Sequence, residues 1–148
     1  MELYLFRHGE AMSPLEDPER PLTPRGNQDV EQMVKHLKKK HVRFEKLYHS
    51  PKKRAVETAS ILGNAFSISP ESKDFLTPND DPEVAKCLLQ EDQNIMIVGH
   101  LPHLPSLASL LMSGTIGKIQ LDMKTASAVC LEKGRIWSLR WILRPESD

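Results

Sequence analysis

The chain has 148 residues, of which 39% are hydrophobic and 27% charged, and its 20 acidic side chains balance 20 basic ones. This length suits one domain, and the composition is typical of a globular protein. A neutral balance disfavours nucleic acid as a partner, because nucleic-acid-binding domains are normally basic. We expect neither a membrane span nor a signal peptide, because no segment approaches ~20 apolar residues and the apolar run of residues 3–6 is short.

The two cysteines, Cys87 and Cys130, lie far apart and both fall within apolar patterns. We expect buried thiols rather than a disulfide framework or a zinc site. This usage favours a reducing compartment, so the sequence predicts a cytoplasmic protein with no membrane partner.

The first half of the chain alternates strand and helix patterns. Residues 3–6 form a short apolar run that predicts a buried strand, and four prolines between residues 11 and 24 predict a shaped loop. Thr23 and Pro24 are typical of a helix start. Apolar residues at helical spacing then predict a helix to about residue 40: Val30, Met33, Val34 and Leu37.

The middle of the chain continues this alternation. Residues 44–49 predict a second strand, and Ser50-Pro51 predicts a second helix start by the same cap-plus-proline logic. Residues 73–76 suggest a short edge strand, and residues 80–90 a helix with an acidic start. Residues 94–98 form the clearest buried strand, which stops at Gly99-His100.

The last part of the chain predicts a helix over residues 104–112, ended by Gly114, and then a hairpin. Its strands cover residues 127–131 and 136–143, with Gly134 in the turn. Alternation predicts one apolar face on the second strand, formed by Trp137, Leu139, Trp141 and Leu143. Together these elements predict a single α/β domain over residues 1–148, with three α/β/α layers, a mostly parallel central sheet and a C-terminal antiparallel hairpin.

Reactive side chains follow several of the predicted strands. Arg7 and His8 follow the first strand, Arg54 lies in the first turn after the second, and His100 follows the buried strand. Because the carboxyl ends of parallel strands share one sheet edge, we expect these four residues to converge. Arginine bonds phosphate oxygens through a planar fork, so this set suits a phosphate group.

A neutral imidazole at His8 is a competent nucleophile, and neighbouring arginines help to keep it neutral. His100 would then stabilise charge that develops on the phosphate. Alternatively, His8 is an ordinary histidine at a strand end beside a surface arginine. A metal site is the competing use of two histidines, but it needs further ligands, and arginines beside a cation are unfavourable, so we expect no metal.

Three segments, in this order, resemble the signature segments of the histidine phosphatase superfamily, also called phosphoglycerate mutase-like: Arg7-His8-Gly9-Glu10, Ser50 to Ala59, and Gly99-His100-Leu101-Pro102. The resemblance implies a phosphoglycerate mutase-like fold and a phosphohistidine intermediate on His8. It also implies a phosphate pocket of Arg7, Arg54 and His100, with no metal or organic cofactor.

Within the superfamily, the chain looks most like the small SixA-type phosphohistidine phosphatases. The sequence segments that support this resemblance are Arg20-Pro21-Leu22-Thr23 with Gly26, Leu76-Thr77-Pro78 and His100-Leu101-Pro102. This resemblance implies that Arg20 reaches the phosphate from the loop, although a plain surface arginine is an equal alternative. His103 either lines the same pocket or is a surface histidine at a helix start.

The chain departs from its mutase-like relatives in the general acid. Those relatives take a glutamate from a longer insertion, whereas residues 75–78 here contain none. General acid help is worth about 10²–10⁴-fold, so its absence favours a substrate with an easy leaving group, such as the imidazole of phosphohistidine. The candidates that remain for the role are Glu10, Asp17, Asp80 and Asp81.

The sequence therefore predicts a cofactor-independent phosphatase that removes phosphate from a histidine on a partner protein, through phospho-His8. A small-molecule phosphomonoesterase of the same superfamily is one alternative. A phosphate- or phosphoprotein-binding module without turnover is the other.

Overall fold

The computed structural model describes residues 1–147. The strands in this range are β1 (Glu2–Arg7), β2 (Lys46–His49), β3 (Pro70–Ser72), β4 (Ile95–Gly99), β5 (Ala128–Lys133) and β6 (Trp137–Leu143). The helices are α1 (Pro24–Lys39), α2 (Lys53–Phe66), a 3-10 helix (Pro82–Leu89) and α3 (His103–Ser113). None of the helices in residues 1–147 has the length and apolar composition needed to cross a membrane.

The six strands form one sheet in the order β3-β2-β4-β1-β5-β6. Pairing is parallel from β3 through β1, whereas β1 with β5 and β5 with β6 are antiparallel. This confirms the predicted mostly parallel sheet with a C-terminal antiparallel hairpin. The carboxyl ends of β1, β4 and β2 are therefore neighbours at one edge of the sheet.

Helices cover both faces of the sheet. In β1, Tyr4 and Phe6 pack into a core cluster with residues of α1 and α2. Leu3 and Leu5 point to the other face and pack with α3 and the 3-10 helix. Successive residues of β1 therefore lie in two separate hydrophobic cores, which explains why β1 is a continuous apolar run. The predicted three-layer arrangement is confirmed.

The start of α2 differs from the prediction. Its N-cap is Lys52, and Ser50 and Pro51 precede the helix. The backbone N–H of Ser50 donates instead to the carbonyl oxygen of Val98, 3.1 Å away, which extends the link between β2 and β4. Ser50 is therefore a strand-end residue and not a helix cap.

The region after α2 also differs from the prediction. The edge strand is β3, whereas residues 73–76 form a turn in which the N–H of Leu76 donates to the carbonyl oxygen of Lys73 over 3.3 Å. The helix predicted over residues 80–90 is the 3-10 helix. Cys87 lies on its exposed side, so the expectation that both thiols are buried is wrong for Cys87 and confirmed for Cys130.

The C-terminal hairpin contains an irregularity that changes one expectation. Its register shifts between Cys130 and Leu131, which pair with Trp141 and Leu139 respectively. A bulge shifts the alternation of side chains by one residue. Consequently Trp141 packs on the α1 and α2 side and Trp137 on the opposite side, and the single apolar face predicted for β6 is wrong.

Candidate active site

The candidate site lies where three neighbouring parallel strands end. His8 follows β1, Ser50 follows β2 and His100 follows β4. The backbone N–H of His8 donates to the carbonyl oxygen of Gly99 over 3.0 Å, which fixes the loop after β1 against the end of β4. The predicted convergence at one sheet edge thus follows from parallel pairing alone.

The two histidines face each other in this edge. Their ring centroids are 5.1 Å apart, and the side chains are buried, with residue exposures of 6% for His8 and 1% for His100. Nδ1 of His8 lies 2.7 Å from the carbonyl oxygen of Gly9. Because a carbonyl oxygen can only accept, Nδ1 carries the hydrogen, and Nε2 of the neutral ring holds a free lone pair.

Burial lowers the pKa of His8 to about 4, and the positive charges of Arg54, Arg7 and Arg20 act in the same direction. The hydrogen bond to Gly9 opposes this shift without cancelling it. For His100, burial and then the neighbouring His8 lower the pKa to about 3. Both rings are therefore neutral near pH 7, as a nucleophilic imidazole requires.

Within residues 1–147, Arg7, Arg20 and Arg54 form no ion pair with a carboxylate, although the charge of Asp122 acts on Arg7. Nη1 of Arg7 donates to the carbonyl oxygen of Met123 over 2.8 Å, but Nε of Arg7 and Nε of Arg54 are buried without a hydrogen-bond partner in residues 1–147. Burial lowers the pKa of both guanidinium groups, and the nearby charge of Arg20 adds to this effect. Buried donors without partners together with unpaired charge favour the binding of an anion.

Arg20 joins this group from the proline-rich loop. Its backbone has a φ of 53°, in the left-handed region that non-glycine residues seldom adopt. Two contacts hold it there: its N–H donates to the carbonyl oxygen of Asp17 over 2.9 Å, and its Nε donates to that of Met12 over 3.0 Å. The charge of Arg20 acts on both Arg7 and Arg54.

Ser50 and Thr58 lie within the segment Ser50 to Ala59 that resembles a family signature, but the sequence patterns predicted no site role for either side chain. Ser50 Oγ lies 2.7 Å from Nε2 of His100, and it also accepts the N–H of Lys52 over 3.2 Å. Thr58 Oγ1 accepts the N–H of Gly9 over 3.0 Å and donates to the carbonyl oxygen of Arg54 over 2.7 Å. These hydroxyl groups link the loop after β1, the end of β4 and the first turn of α2.

Glu10 and Asp17, the first two candidates for a general acid, contact their own loops. Oε2 of Glu10 accepts the hydroxyl hydrogen of Thr23 over 2.8 Å. Thr23 Oγ1 in turn accepts the N–H of Gly26 over 2.9 Å, which confirms Thr23 as the N-cap of α1. Oδ1 of Asp17 accepts the N–H of Glu19 over 3.0 Å.

The other two carboxylates are similarly engaged. Asp80 accepts hydrogen bonds from the N–H and the hydroxyl of Thr77, and these bonds lower the pKa of Asp80. Asp81 caps the 3-10 helix by accepting the N–H of Glu83 over 3.0 Å. His103 is 1% exposed, so the expectation of a surface histidine is wrong, and its two ring nitrogens lack partners within residues 1–147.

Residues 1–147 contain no group of three or more His, Cys, Asp or Glu side chains placed to hold a metal ion. What the site offers is a neutral imidazole with a free Nε2, a second imidazole opposite, and several guanidinium groups. Such an arrangement can hold a tetrahedral oxyanion close to a nitrogen nucleophile.

Comparison with known proteins agrees with this geometry. The sequence model of the histidine phosphatase superfamily (branch 1) matches residues 3–77. An uncharacterized protein of Picosynechococcus is 33% identical over 144 residues, covering 90% of this chain and 86% of that protein. Phosphohistidine phosphatase SixA of Escherichia coli is 28% identical over 153 residues, covering 98% of this chain and 94% of SixA.

A solved structure of the protein histidine phosphatase SixA, complexed with tungstate, is also similar. It superposes with a TM-score of 0.87 at 26% identity, covering 98% of this chain and 97% of that structure. The family match spans about half of the chain and includes the segment that ends β1 and the segment that begins α2. The chain therefore belongs to the histidine phosphatase superfamily.

Proposed function

We propose that this protein is a phosphohistidine phosphatase that removes phosphate from a histidine of a partner protein, with His8 as the nucleophile. The observation that carries the proposal is the state of His8. Its Nδ1 is fixed on the carbonyl oxygen of Gly9, its pKa is lowered to about 4, and its Nε2 is free beside Arg7 and Arg54, which form no ion pair within residues 1–147. That combination suits attack on phosphorus at neutral pH.

In the first step, Nε2 of His8 forms a bond to phosphorus while the bond from phosphorus to the substrate imidazole breaks. The departing imidazole nitrogen takes a proton from solvent. Arg7 and Arg54 hold the phosphoryl oxygens, with Arg20 closing the pocket from its loop, and His100 donates to an oxygen that gains charge. The buried Nε atoms of Arg7 and Arg54, which lack partners in residues 1–147, support this role.

In the second step, water attacks the phosphorus of phospho-His8. A bond from oxygen to phosphorus forms, the bond to Nε2 breaks, and inorganic phosphate leaves with the proton lost by the water. His8 regains its lone pair, while Gly9 keeps Nδ1 oriented through both steps. One ring thus serves as nucleophile and then as leaving group.

The carboxylates support the proposed substrate class. Glu10, Asp17, Asp80 and Asp81 each accept a hydrogen bond from another residue, namely Thr23, Glu19, Thr77 and Glu83 respectively. The lowered pKa of Asp80 also makes it a poor acid near pH 7. An imidazole leaves a phosphoramidate more readily than an alkoxide leaves a phosphate ester, so phosphohistidine suits a site of this kind. The relative SixA is a phosphohistidine phosphatase, which supports the same substrate class.

Rates on matched substrates test the proposal. We expect rapid release of phosphate from a phosphohistidine-containing protein and from phosphoimidazole, and release at least about 10²-fold slower from an aryl or alkyl phosphate. Faster turnover of phosphate esters would instead indicate a small-molecule phosphomonoesterase. Binding of inorganic phosphate without turnover of any substrate would indicate a binding module.

We also propose that the chain is organised as one domain. The two core clusters lie on opposite faces of a single sheet, and β1 and β4 contribute side chains to both. We expect urea to unfold the protein in one transition, with the same midpoint by tryptophan fluorescence and by circular dichroism.

A further inference from the structure

A charged cleft adjoins the candidate active site. It has a volume of about 670 Å³ and is open to solvent. One wall belongs to the proline-rich loop and the other to the start of α2, and the lining residues are Pro18, Glu19, Arg20, Pro51, Lys52, Lys53, Arg54 and Val56. Because Arg20 and Arg54 also belong to the phosphate pocket, the cleft is continuous with the place where the phosphoryl group would lie.

Four of the lining side chains are cationic, namely Arg20, Lys52, Lys53 and Arg54, against the single carboxylate of Glu19. The whole chain is electrically balanced, with 20 basic and 20 acidic side chains, so this excess is a local feature. A cleft lined by one sign of charge attracts ligands of the opposite sign.

Nearby acidic groups only partly offset this charge. Oε2 of Glu19 lies 3.2 Å from Nζ of Lys53. The charges of Glu57 and Asp17 also reach Lys53, but Glu57 accepts the N–H of Leu22 over 2.7 Å and Asp17 accepts that of Glu19. Lys52 forms no ion pair within residues 1–147, and its charge helps to lower the pKa of His100.

The form of the cleft favours a polypeptide as its occupant. Lys52 and Lys53 are exposed, and Val56, which is 39% exposed, adds an apolar patch between the charged groups. Exposed lysines each bind an anion weakly, so a useful gain needs several acidic groups held on one chain. An open cleft also leaves room for the backbone on either side of a phosphorylated residue.

We propose that this cleft docks an acidic segment of the phosphohistidine-bearing partner, beside the phosphorylated histidine. Lys52 and Lys53 receive the carboxylates of the segment, while the phosphoryl group enters the pocket between Arg7 and Arg54. This inference rests on the proposed function. It adds that the sequence around the target histidine is acidic.

The test compares three substrates: phosphoimidazole, a phosphohistidine peptide flanked by three glutamates, and the same peptide with glutamines. The variant is the double substitution Lys52→Gln and Lys53→Gln. Lys133→Gln is the matched control, because Lys133 is exposed and lies at the opposite end of the sheet, where its N–H donates to the carbonyl oxygen of Met1.

For the wild-type protein we expect kcat/KM to be about tenfold higher on the acidic peptide than on the glutamine peptide, with an advantage that shrinks as salt is added. The double variant should lose that advantage and keep turnover of phosphoimidazole within about twofold. The Lys133 control should match the wild type on all three substrates.

Equal rates on the two peptides would overturn the docking proposal while leaving the phosphatase proposal intact. An equal loss on phosphoimidazole in the double variant would also overturn it, because the lysines would then act on the phosphate pocket. If no substrate turns over, the proposed function fails. The docking proposal is then tested by fluorescence anisotropy, which measures binding of the unphosphorylated acidic peptide. Tighter binding to wild type than to the double variant supports the cleft, and equal binding overturns it.

Discussion

The imidazole rings of His8 and His100 face each other across the ends of β1 and β4, with centroids 5.1 Å apart and planes inclined by 57°. Nδ1 of His8 is anchored within its own loop by the carbonyl oxygen of Gly9, whereas Nε2 of His100 is anchored by the hydroxyl of Ser50, which follows β2. Nε2 of His8 and Nδ1 of His100 take no part in these two anchoring hydrogen bonds. The proposed roles of His8 as nucleophile and of His100 as hydrogen-bond donor depend on the availability of these two nitrogens.

Replacing Arg54 should impair catalysis without unfolding the protein. We expect Arg54→Ala to lower kcat/KM on phosphoimidazole by about 10²–10³-fold, because a charge-assisted bond to the transferring phosphoryl group is lost. Arg54→Lys should recover little, since lysine lacks the planar fork. Arg25→Ala is the control and should retain wild-type rates, because Arg25 is an exposed arginine of α1 that forms an ion pair with Asp29, away from the site.

Ser50 should act through the orientation of His100. We expect Ser50→Ala to lower kcat by about tenfold while the KM for phosphoimidazole changes little, because the hydrogen bond of 2.7 Å to Nε2 is removed. The imidazole resonances of His100 should shift in nuclear magnetic resonance spectra of the variant. The exposed Ser60 on α2 provides the control Ser60→Ala, and a loss of equal size there would contradict the positioning role.

Gly26 should tolerate no side chain, although it lies in a helix. A Cβ at this position would lie 2.1 Å from the carbonyl oxygen of Glu10, which belongs to the loop after β1. We expect Gly26→Ala to lower the free energy of unfolding by about 3 kcal/mol, whereas an ordinary helical Gly→Ala change is stabilising. Urea unfolding measures this, with Gln28→Ala as the exposed control, and unchanged stability would contradict the close packing of loop and helix.

The buried neutral histidines should make stability depend on pH. The pKa of His8 is about 4 in the folded protein and near 6.5 when the chain is unfolded, so the unfolded state binds more protons between these values. Stability is therefore expected to fall as the pH drops through this window, with a slope of up to ~1.4 kcal/mol per pH unit from His8.

Urea unfolding of wild type and His8→Asn at a series of pH values isolates this contribution. Carboxylates titrate in both proteins, so the difference between them reports His8. We expect the wild type to lose about 1–2 kcal/mol more than the variant between about pH 7 and about pH 5. If the free energies of unfolding of the two proteins changed equally with pH, a lowered pKa of His8 would be contradicted.

The sequence predicted the parts of the fold that depend on local patterns. The apolar runs of β1 and β4 mark strands buried on both faces, and Thr23 followed by Pro24 marks the start of α1. Since parallel pairing brings strand ends together, the positions of His8 and His100 also followed from the sequence. These features need only short-range periodicity and one topological rule.

The features that sequence patterns did not predict depend on contacts between distant segments. Ser50 has the same local pattern as a helix cap, and only the pairing of β2 with β4 turns its hydroxyl towards His100. The bulge opposite Cys130 separates Trp137 from Trp141, although simple alternation would keep them together. The cleft beside Lys52 likewise needs the proline-rich loop, whose path only the fold defines.

The most direct test of the account is to trap the phosphorylated enzyme. The protein is mixed with a ³²P-labelled phosphohistidine substrate, quenched in alkaline denaturant within the first turnovers, and mapped by mass spectrometry of its peptides. We predict acid-labile, base-stable phosphate on His8 in the wild type and no label in His8→Ala, which should also lose turnover. Full turnover by His8→Ala, or turnover by the wild type with no phosphate on His8, would contradict the proposed mechanism.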